Sequence, residues 1–249
     1  MNTSPRTRLF AAAQRPGSLP LHLQVSEMLI REIASGHIAD NERLSPEREM
    51  AAGLGIAVGT LRKALADLES KGLLERIQGS GNYIRAGGKD GATTTSVYSF
   101  FRLELVSGGG LPNAVVLSVD RQPKPADLPP FGNSTHAHRI RRLRYIGSKA
   151  AALEEIWLDG SFAEQISAEE LSESLYLFYK NKLGFWITGA DDSVSVSHVP
   201  KWSPVEFALK PKTVCGFVER LSRAQNGQIA EYSRTWFDSN IARYMARLK

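Results

Sequence analysis

Cysteine is nearly absent from this chain: Cys215 stands alone in 249 residues. That excludes an internal disulfide framework and any zinc site built on paired cysteines. No apolar run approaches the ~18 residues that a membrane-spanning helix needs, so no membrane partner is expected. Also missing are a Gly-x-x-x-x-Gly-Lys phosphate loop, a Gly-x-Ser-x-Gly nucleophile turn and a His-Glu-x-x-His zinc motif. Their absence removes the commonest signatures of nucleotide hydrolysis, serine hydrolysis and metalloproteolysis. The histidines (22, 37, 136, 138 and 198) are scattered. His136 and His138 share a strand face but have no third ligand at suitable spacing, so neither metal nor cofactor is expected. Internal repeats are lacking too. The basic leader Arg6, Arg8 is followed by only Leu9-Phe10-Ala11-Ala12-Ala13. That is short of the ~7–15 apolar residues of a signal peptide, so residues 1–18 read as a mobile tail and the protein as cytoplasmic.

What is present is a mild positive excess. The formal net charge is +5, which favours a polyanionic partner modestly. Residues 1–88 carry 11 Lys+Arg against 9 Asp+Glu, a difference of only +2. Any nucleic-acid surface must therefore place its charge on one face, through Arg48, Arg62, Lys63 and Arg76.

Residues 19–86 read as three helices and a hairpin. Leu21, Val25, Leu29 and Ile33 recur every four residues, with Met28 alongside, giving one apolar stripe that Ser35-Gly36 ends. Ser45-Pro46-Glu47-Arg48-Glu49 opens a second helix, with serine as N-cap, proline in the first turn and acids at the positive dipole end. Gly53 and Gly55 close it. A third helix spans about 58–71, with Leu61, Leu65 and Leu68 inward and Gly72 as its stop. Leu73–Ile77 and Asn82–Ile84 read as strands around the turn Gln78-Gly79-Ser80-Gly81. This order predicts a winged helix-turn-helix, which puts one helix into a DNA major groove and the wing beside it.

The residues Leu44-Ser45-Pro46-Glu47-Arg48-Glu49-Met50-Ala51, Gly59-Thr60-Leu61-Arg62-Lys63-Ala64-Leu65, Leu68–Leu74 and Gln78-Gly79-Ser80-Gly81 resemble the GntR family of bacterial transcription regulators. The resemblance covers 20–85 in order. It implies double-stranded operator DNA as partner, with Arg48, Thr60, Arg62, Lys63, Gln78 and Gly79 at the DNA. Arginine suits this role, since it pairs bidentately with guanine or grips a phosphate. Two departures stand out. Ser45-Pro46 replaces the family's Pro-Ser, and Ala57-Val58 replaces its usual Ser-Arg, removing one helix cap and one DNA-contacting arginine. Val58 is left to touch a thymine methyl or to pack against protein.

Residues 87–96, rich in glycine and threonine, read as a flexible linker. From Val97 the pattern changes to strands: around Phe100, Arg102 and Glu104, at 114–119, 138–146, 153–158, 192–197, 216–223 and 229–237. Helices are expected at about 168–183, where Leu171, Leu175, Phe178 and Tyr179 keep helical spacing, and at about 203–209. Mostly antiparallel strands with helices on one side make an α+β domain over 97–247.

Arg142-Leu143-Arg144, Glu154, Ser174-Leu175-Tyr176, Glu219-Arg220 and Gly227–Ser233 are similar to the UTRA domain, the effector-sensing partner of GntR readers in the HutC subfamily. The resemblance implies a chorismate-lyase-like fold, a homodimer, and a small-molecule effector site lined by Arg142, Arg144, Glu154, Ser174, Tyr176 and Glu231. Guanidinium groups there suit an anionic effector, and carboxylates suit hydroxyls or an amine. The family's Gly-x-Pro turn is missing from Gly147-Ser148-Lys149-Ala150-Ala151, which leaves the hairpin register open. Arg139, Arg141, Arg142 and Arg144 equally suit solvated strand-edge charges, Ser174 a helix cap, and Tyr176 and Trp236 the core. The expected function is an effector-controlled DNA-binding regulator, a repressor, with no catalysis. The alternative is an enzyme or metabolite-binding protein on a chorismate-lyase-like fold with a vestigial DNA domain.

Overall fold

The computed structural model describes residues 20–34, 38–85, 103–108, 112–171 and 174–246. The expected tail at 1–18, the linker at 87–96 and the strand residues Phe100 and Arg102 lie outside them. The described residues divide into two compact units.

The first unit is built from α1 (Leu21–Ala34), α2 (Glu47–Leu54), α3 (Val58–Ser70), β1 (Leu74–Ile77) and β2 (Gly81–Ile84). Val25, Leu29 and Ile33 of α1 pack with Leu61, Leu65 and Leu68 of α3 in a core where each is at most 3% exposed. Burial of one such side chain contributes about 1.5–3 kcal/mol. Polar ties fix the crossing of α1 and α3: Ser26 Oγ donates to Asp67, and Lys71 Nζ reaches Asp67 at 2.7 Å and Glu27 at 3.3 Å. α2 starts one residue later than the sequence suggested. Pro46, not Ser45, is its N-cap, with ψ near 137° and no side-chain cap, because proline's fixed φ is compatible with the extended boundary residue as well as with the first turn. Gly55 ends α2 at φ 68°. Ala57 precedes α3 and caps nothing with its side chain, as the departure at that position implied. β1 and β2 pair antiparallel, Leu74 opposite Ile84 and Ile77 opposite Gly81. The turn between them holds Gly79 at φ 77°, a left-handed conformation that glycine adopts without steric cost.

The second unit is α+β. Its six-stranded antiparallel sheet runs in the order β4 (Pro112–Pro123), β5 (His136–Ile146), β6 (Lys149–Asp159), β9 (Ile229–Phe237), β8 (Val214–Ala224), β7 (Ile187–His198). β3 (Leu103–Leu105) and β10 (Ala242–Tyr244) form a separate pair. The continuous helix expected at 168–183 is instead a 3-10 turn (Ala168–Glu170), a one-turn α4 (Leu175–Phe178) and a π turn (Tyr179–Leu183). The apolar spacing was real, since Leu171, Leu175, Phe178 and Tyr179 are all buried. It serves a segment laid on the sheet rather than an uninterrupted helix. The helix expected at 203–209 is not formed; the chain turns there, and Phe207 is buried beside Trp202 and Leu209 in a cluster with Leu143, Leu153, Phe217 and Trp236. Trp236 is thus a core aromatic.

Alternation along the strands separates two faces. One carries Leu143, Leu153, Phe217 and Trp236, and a second apolar cluster of Phe131, Ala137, Trp157 and Tyr232. Between these clusters runs an ionic row in which Arg141 meets Glu155 at 2.7 Å and Arg234 meets Asp127 at 2.9 Å. The opposite face carries Arg142, Arg144, Glu154, Arg220, Ser222 and Glu231 in neighbouring rows.

Candidate functional site

In the first unit the inward leucines of α3 force Arg62 and Lys63 outward. Both are exposed, as are Arg48 on α2 and Gln78 and Gly79 in the wing, while Thr60 is half-buried. Arg62 Nε donates to Glu47 Oε2 at 2.6 Å. Arg76 Nε reaches Glu69 at 2.9 Å, and its Nη1 lies 3.8 Å from Glu47. Glu47, at the first position of α2, therefore ties α3 and the wing to one carboxylate. These pairs are solvent-exposed and weak, so a phosphate or base edge can compete for either arginine. Gln78 and Gly79 line a cleft of about 510 Å³ between the wing and the start of α2. Arg48, Thr60 and Lys63 do not line that cleft.

In the second unit the β5–β6 ladder sets Arg142 directly opposite Glu154, and the register shift falls beyond Arg144, between it and Tyr145. The hairpin register that the sequence left open is thereby fixed. Arg142 Nη2 donates to Glu154 Oε2 at 2.6 Å, and Arg144 Nε lies 3.6 Å from Glu154 Oε1. Burial raises the Glu154 carboxyl, but the Arg142 and Arg144 guanidinium groups outweigh it and hold the group below the usual carboxylate range.

Glu231 forms the neighbouring knot. It accepts from Tyr179 Oη at 2.5 Å, Ser222 Oγ at 3.1 Å and Tyr176 Oη at 3.4 Å. Its carboxyl is pushed above the usual range, chiefly by burial, against the hydrogen bonds from Tyr179 and Ser222 and the fields of Arg142 and Arg220. Those same fields link the two knots. Arg220 is gripped by Asp192 at 2.5 and 2.6 Å, and Tyr244 Oη also donates to Asp192. Ser174 caps α4, its Oγ accepting from Leu177 N at 3.3 Å, and so fixes the turn that carries Tyr176 and Tyr179.

The structure thus brings five of the six expected effector residues into one buried polar cluster, with Ser174 holding the segment above it. Arg142, Arg144 and Glu231 are each at most 5% exposed. Tyr179, Arg220, Ser222 and Asp192 belong to the cluster and were not among the expected residues. Ser222 lies two residues from Arg220 on the same strand face, and Tyr179 one helical turn after Tyr176; those spacings were the available signals. Among the described residues no His, Cys, Asp or Glu group is arranged to hold a metal, and His138 Nε2 lies instead 2.9 Å from the Ala163 carbonyl oxygen. No helix among them is long and apolar enough to cross a membrane.

A winged helix-turn-helix followed by an α+β domain with a buried arginine–carboxylate cluster defines a DNA-binding transcription regulator with its own sensing domain. The chain belongs to the gntR family of bacterial regulatory proteins, whose family model matches residues 21–84, and carries a UTRA domain over 107–243. It is 58% identical over 233 residues, 94% of this chain and 98% of the relative, to the HTH-type transcriptional regulator SmoD of Agrobacterium fabrum. It is 22% identical over 236 residues, 92% of this chain and 96% of the relative, to the HTH-type transcriptional repressor NagR of Bacillus subtilis. The solved structure of the possible transcriptional regulator YydK of Bacillus subtilis shares the fold with a TM-score of 0.50 at 17% identity, covering 93% of this chain and 100% of that one.

Proposed function

We propose that the protein is a cytoplasmic, homodimeric repressor in which residues 19–86 read the operator, 87–96 link, and 97–247 bind a small anionic effector and dimerise. Two-fold protein symmetry calls for a pseudo-palindromic operator. Arg48, Thr60, Arg62, Lys63, Gln78 and Gly79 make the DNA contacts. Arg142, Arg144, Glu154, Tyr176 and Glu231 surround the effector, with Ser174 at the turn above them. Repression is supported by the repressor NagR among the relatives.

The observation that carries the effector reading is the charge of the buried cluster. Arg142, Arg144 and Arg220 face Glu154, Asp192 and Glu231. Two of these guanidinium groups, those of Arg142 and Arg144, lie 2.6 and 3.6 Å from the one Glu154 carboxylate in a dry site, where an anionic ligand can take charge-assisted hydrogen bonds from both. Sensing, rather than turnover, fits a domain attached to a DNA reader. An effector must prefer one state of the dimer by about 1–3 kcal/mol to change operator occupancy usefully. The test is a thermal-shift screen of anionic metabolites followed by gel shift with the stabilising compound. A compound that stabilises the protein and alters DNA binding supports the reading; chemical conversion of the compound would establish an enzyme instead.

A further inference from the structure

Among the basic residues of the DNA-reading unit, Arg43 stands apart. It lies outside the expected DNA-contacting set, in the segment between α1 and α2, yet the structure fixes its backbone firmly. Arg43 bridges to Tyr83 of β2, and the next residue, Leu44, donates its N–H to the Asn82 carbonyl at 2.9 Å. Tyr83 is itself tied to Ser80 through side-chain oxygens 2.7 Å apart. Arg43 therefore forms a short third edge of the wing.

Its guanidinium lies across Gly81. A Cβ built on Gly81 would meet Arg43 Nε at 3.0 Å, Nη2 at 3.6 Å and Cζ at 3.7 Å. Glycine at that position leaves the arginine room to lie flat on the wing backbone, so its planar fork is oriented before any ligand arrives. The side chain lines the 510 Å³ cleft that separates the wing from the start of α2, together with the donors Ser45, Gln78, Ser80 and Asn82.

The ion pairs around this cleft also set Arg43 apart. Arg76 also lines it, but pairs with Glu69 at 2.9 Å and approaches Glu47 at 3.8 Å. Glu47 is the acid of this cleft, and it is held by Arg62 at 2.6 Å. Among the described residues Arg43 has no carboxylate within ion-pair distance. A cationic fork pre-set on a wing, in a cleft of hydroxyl and amide donors, matches a DNA phosphodiester rather than a base edge. Phosphate contacts of this kind fix register without reading sequence.

We propose that Arg43 is a DNA-phosphate-binding residue that anchors the wing on the backbone beside the recognition helix. This rests on the DNA-reading function proposed above. The test uses the full-length protein and two duplexes of about 30 base pairs: one selected by the wild type from random sequence, and a scrambled one of equal composition. Fluorescence anisotropy is recorded across salt concentrations for wild type, Arg43→Gln and Arg43→Lys. Arg43→Gln is expected to bind both duplexes about 3- to 10-fold more weakly, with a slope of log affinity against log salt reduced by about 0.9. Arg43→Lys keeps the charge and should keep most of the slope. An unchanged affinity and slope in Arg43→Gln would overturn the proposal, and so would a loss confined to the selected duplex, which would make Arg43 a base reader. Either result leaves the regulator reading standing, because the wild type still binds. A wild type that enriches no duplex from random sequence would remove both. Arg43 is exposed and outside the core, so the thermal melts of the variants should match the wild type.

Discussion

Arg142 and Glu154 face each other across the β5–β6 ladder, with Nη2 and Oε2 2.6 Å apart and both side chains nearly out of solvent. The pair lies in the middle of the sheet face that α4 covers, not at an exposed strand edge. A buried ion pair is weak evidence for stability, because desolvating two charges costs as much as their attraction returns. Arg144, 3.6 Å from the same carboxylate, adds a second guanidinium to one acid. Two guanidinium groups held on one buried strand face are placed to bind one anion together.

The first prediction follows from that pair of guanidinium groups. Replacing Arg144 by methionine keeps the stem and leaves the shorter Arg142–Glu154 contact in place. The variant should fold, should bind operator as the wild type does without effector, and should bind the effector about 2–4 kcal/mol more weakly. Gel shift and thermal shift check this. Arg142→Ala is the harsher change: it leaves Glu154 buried with only the longer contact, and should lower stability by about 3–5 kcal/mol. Full effector response in Arg144→Met would move the site elsewhere.

The two buried glutamates should respond to pH in opposite senses. Glu154 is held below the ordinary value of 4.5, its burial outweighed by Arg142 and Arg144. Its contribution is complete above 4.5 and drains as pH falls through the lower folded value. Glu231 is raised above 4.5, chiefly by burial. Its contribution is complete below 4.5 and drains as pH rises through the raised folded value. Urea unfolding from about pH 3 to pH 7 should therefore show a shallower acid limb in Glu154→Gln than in wild type. Glu231→Gln should instead lose the decline that begins above 4.5. Parallel curves for all three proteins would refute the assignment.

Local chemistry explains which parts of this architecture the sequence disclosed. The winged unit was legible because its boundaries are set by neighbouring residues: Gly55 in the left-handed region at φ 68°, Gly72 at φ 71° and Gly79 at φ 77°. The one-residue error at Ser45-Pro46 arose because proline suits either side of a helix start. The arginine pair and Glu154 were suggested by family resemblance, but their contact depends on where the β5–β6 register shifts, which alternation alone cannot reveal. Tyr179 carried the right spacing for a core residue and is fully buried; its hydroxyl function depends on Glu231, 52 residues away. The segment at 203–209 forms turns instead of the expected helix, and its apolar residues Phe207 and Leu209 are carried into the core beside Trp202 without helical spacing, being only two residues apart.

A packing prediction tests the sheet itself. At Gly216 on β8 an added Cβ would lie 2.2–2.5 Å from the ring carbons of Phe237 on β9. Gly216 and Phe237 are direct cross-strand partners, so the ring can escape only by leaving its place in the sheet. Gly216→Ala should destabilise the second unit by about 1–3 kcal/mol, read as a lower melting temperature. A second change, Phe237→Leu, should recover part of the loss when combined with it. An unchanged melt in Gly216→Ala would mean that Phe237 does not lie over β8 as described.

The last prediction concerns Arg62, which sequence and structure both place on the outer face of α3. Its Nε is occupied by Glu47 at 2.6 Å, which leaves the Nη1–Nη2 edge of the guanidinium for other acceptors. That edge is the one used for bidentate pairing with guanine O6 and N7. Arg62→Ala should weaken operator binding by about 1–3 kcal/mol and blur preference at one position in each half-site. Glu47→Gln should leave the charge of Arg62 in place but loosen its orientation. It is expected to reduce discrimination at the same position while raising affinity for random duplexes, because an acid has been removed from the DNA-facing surface. Competition binding against single-base operator variants separates the two effects. Equal losses on every sequence in Arg62→Ala would make Arg62 a phosphate clamp, and no loss on any sequence would remove α3 from the role of recognition helix.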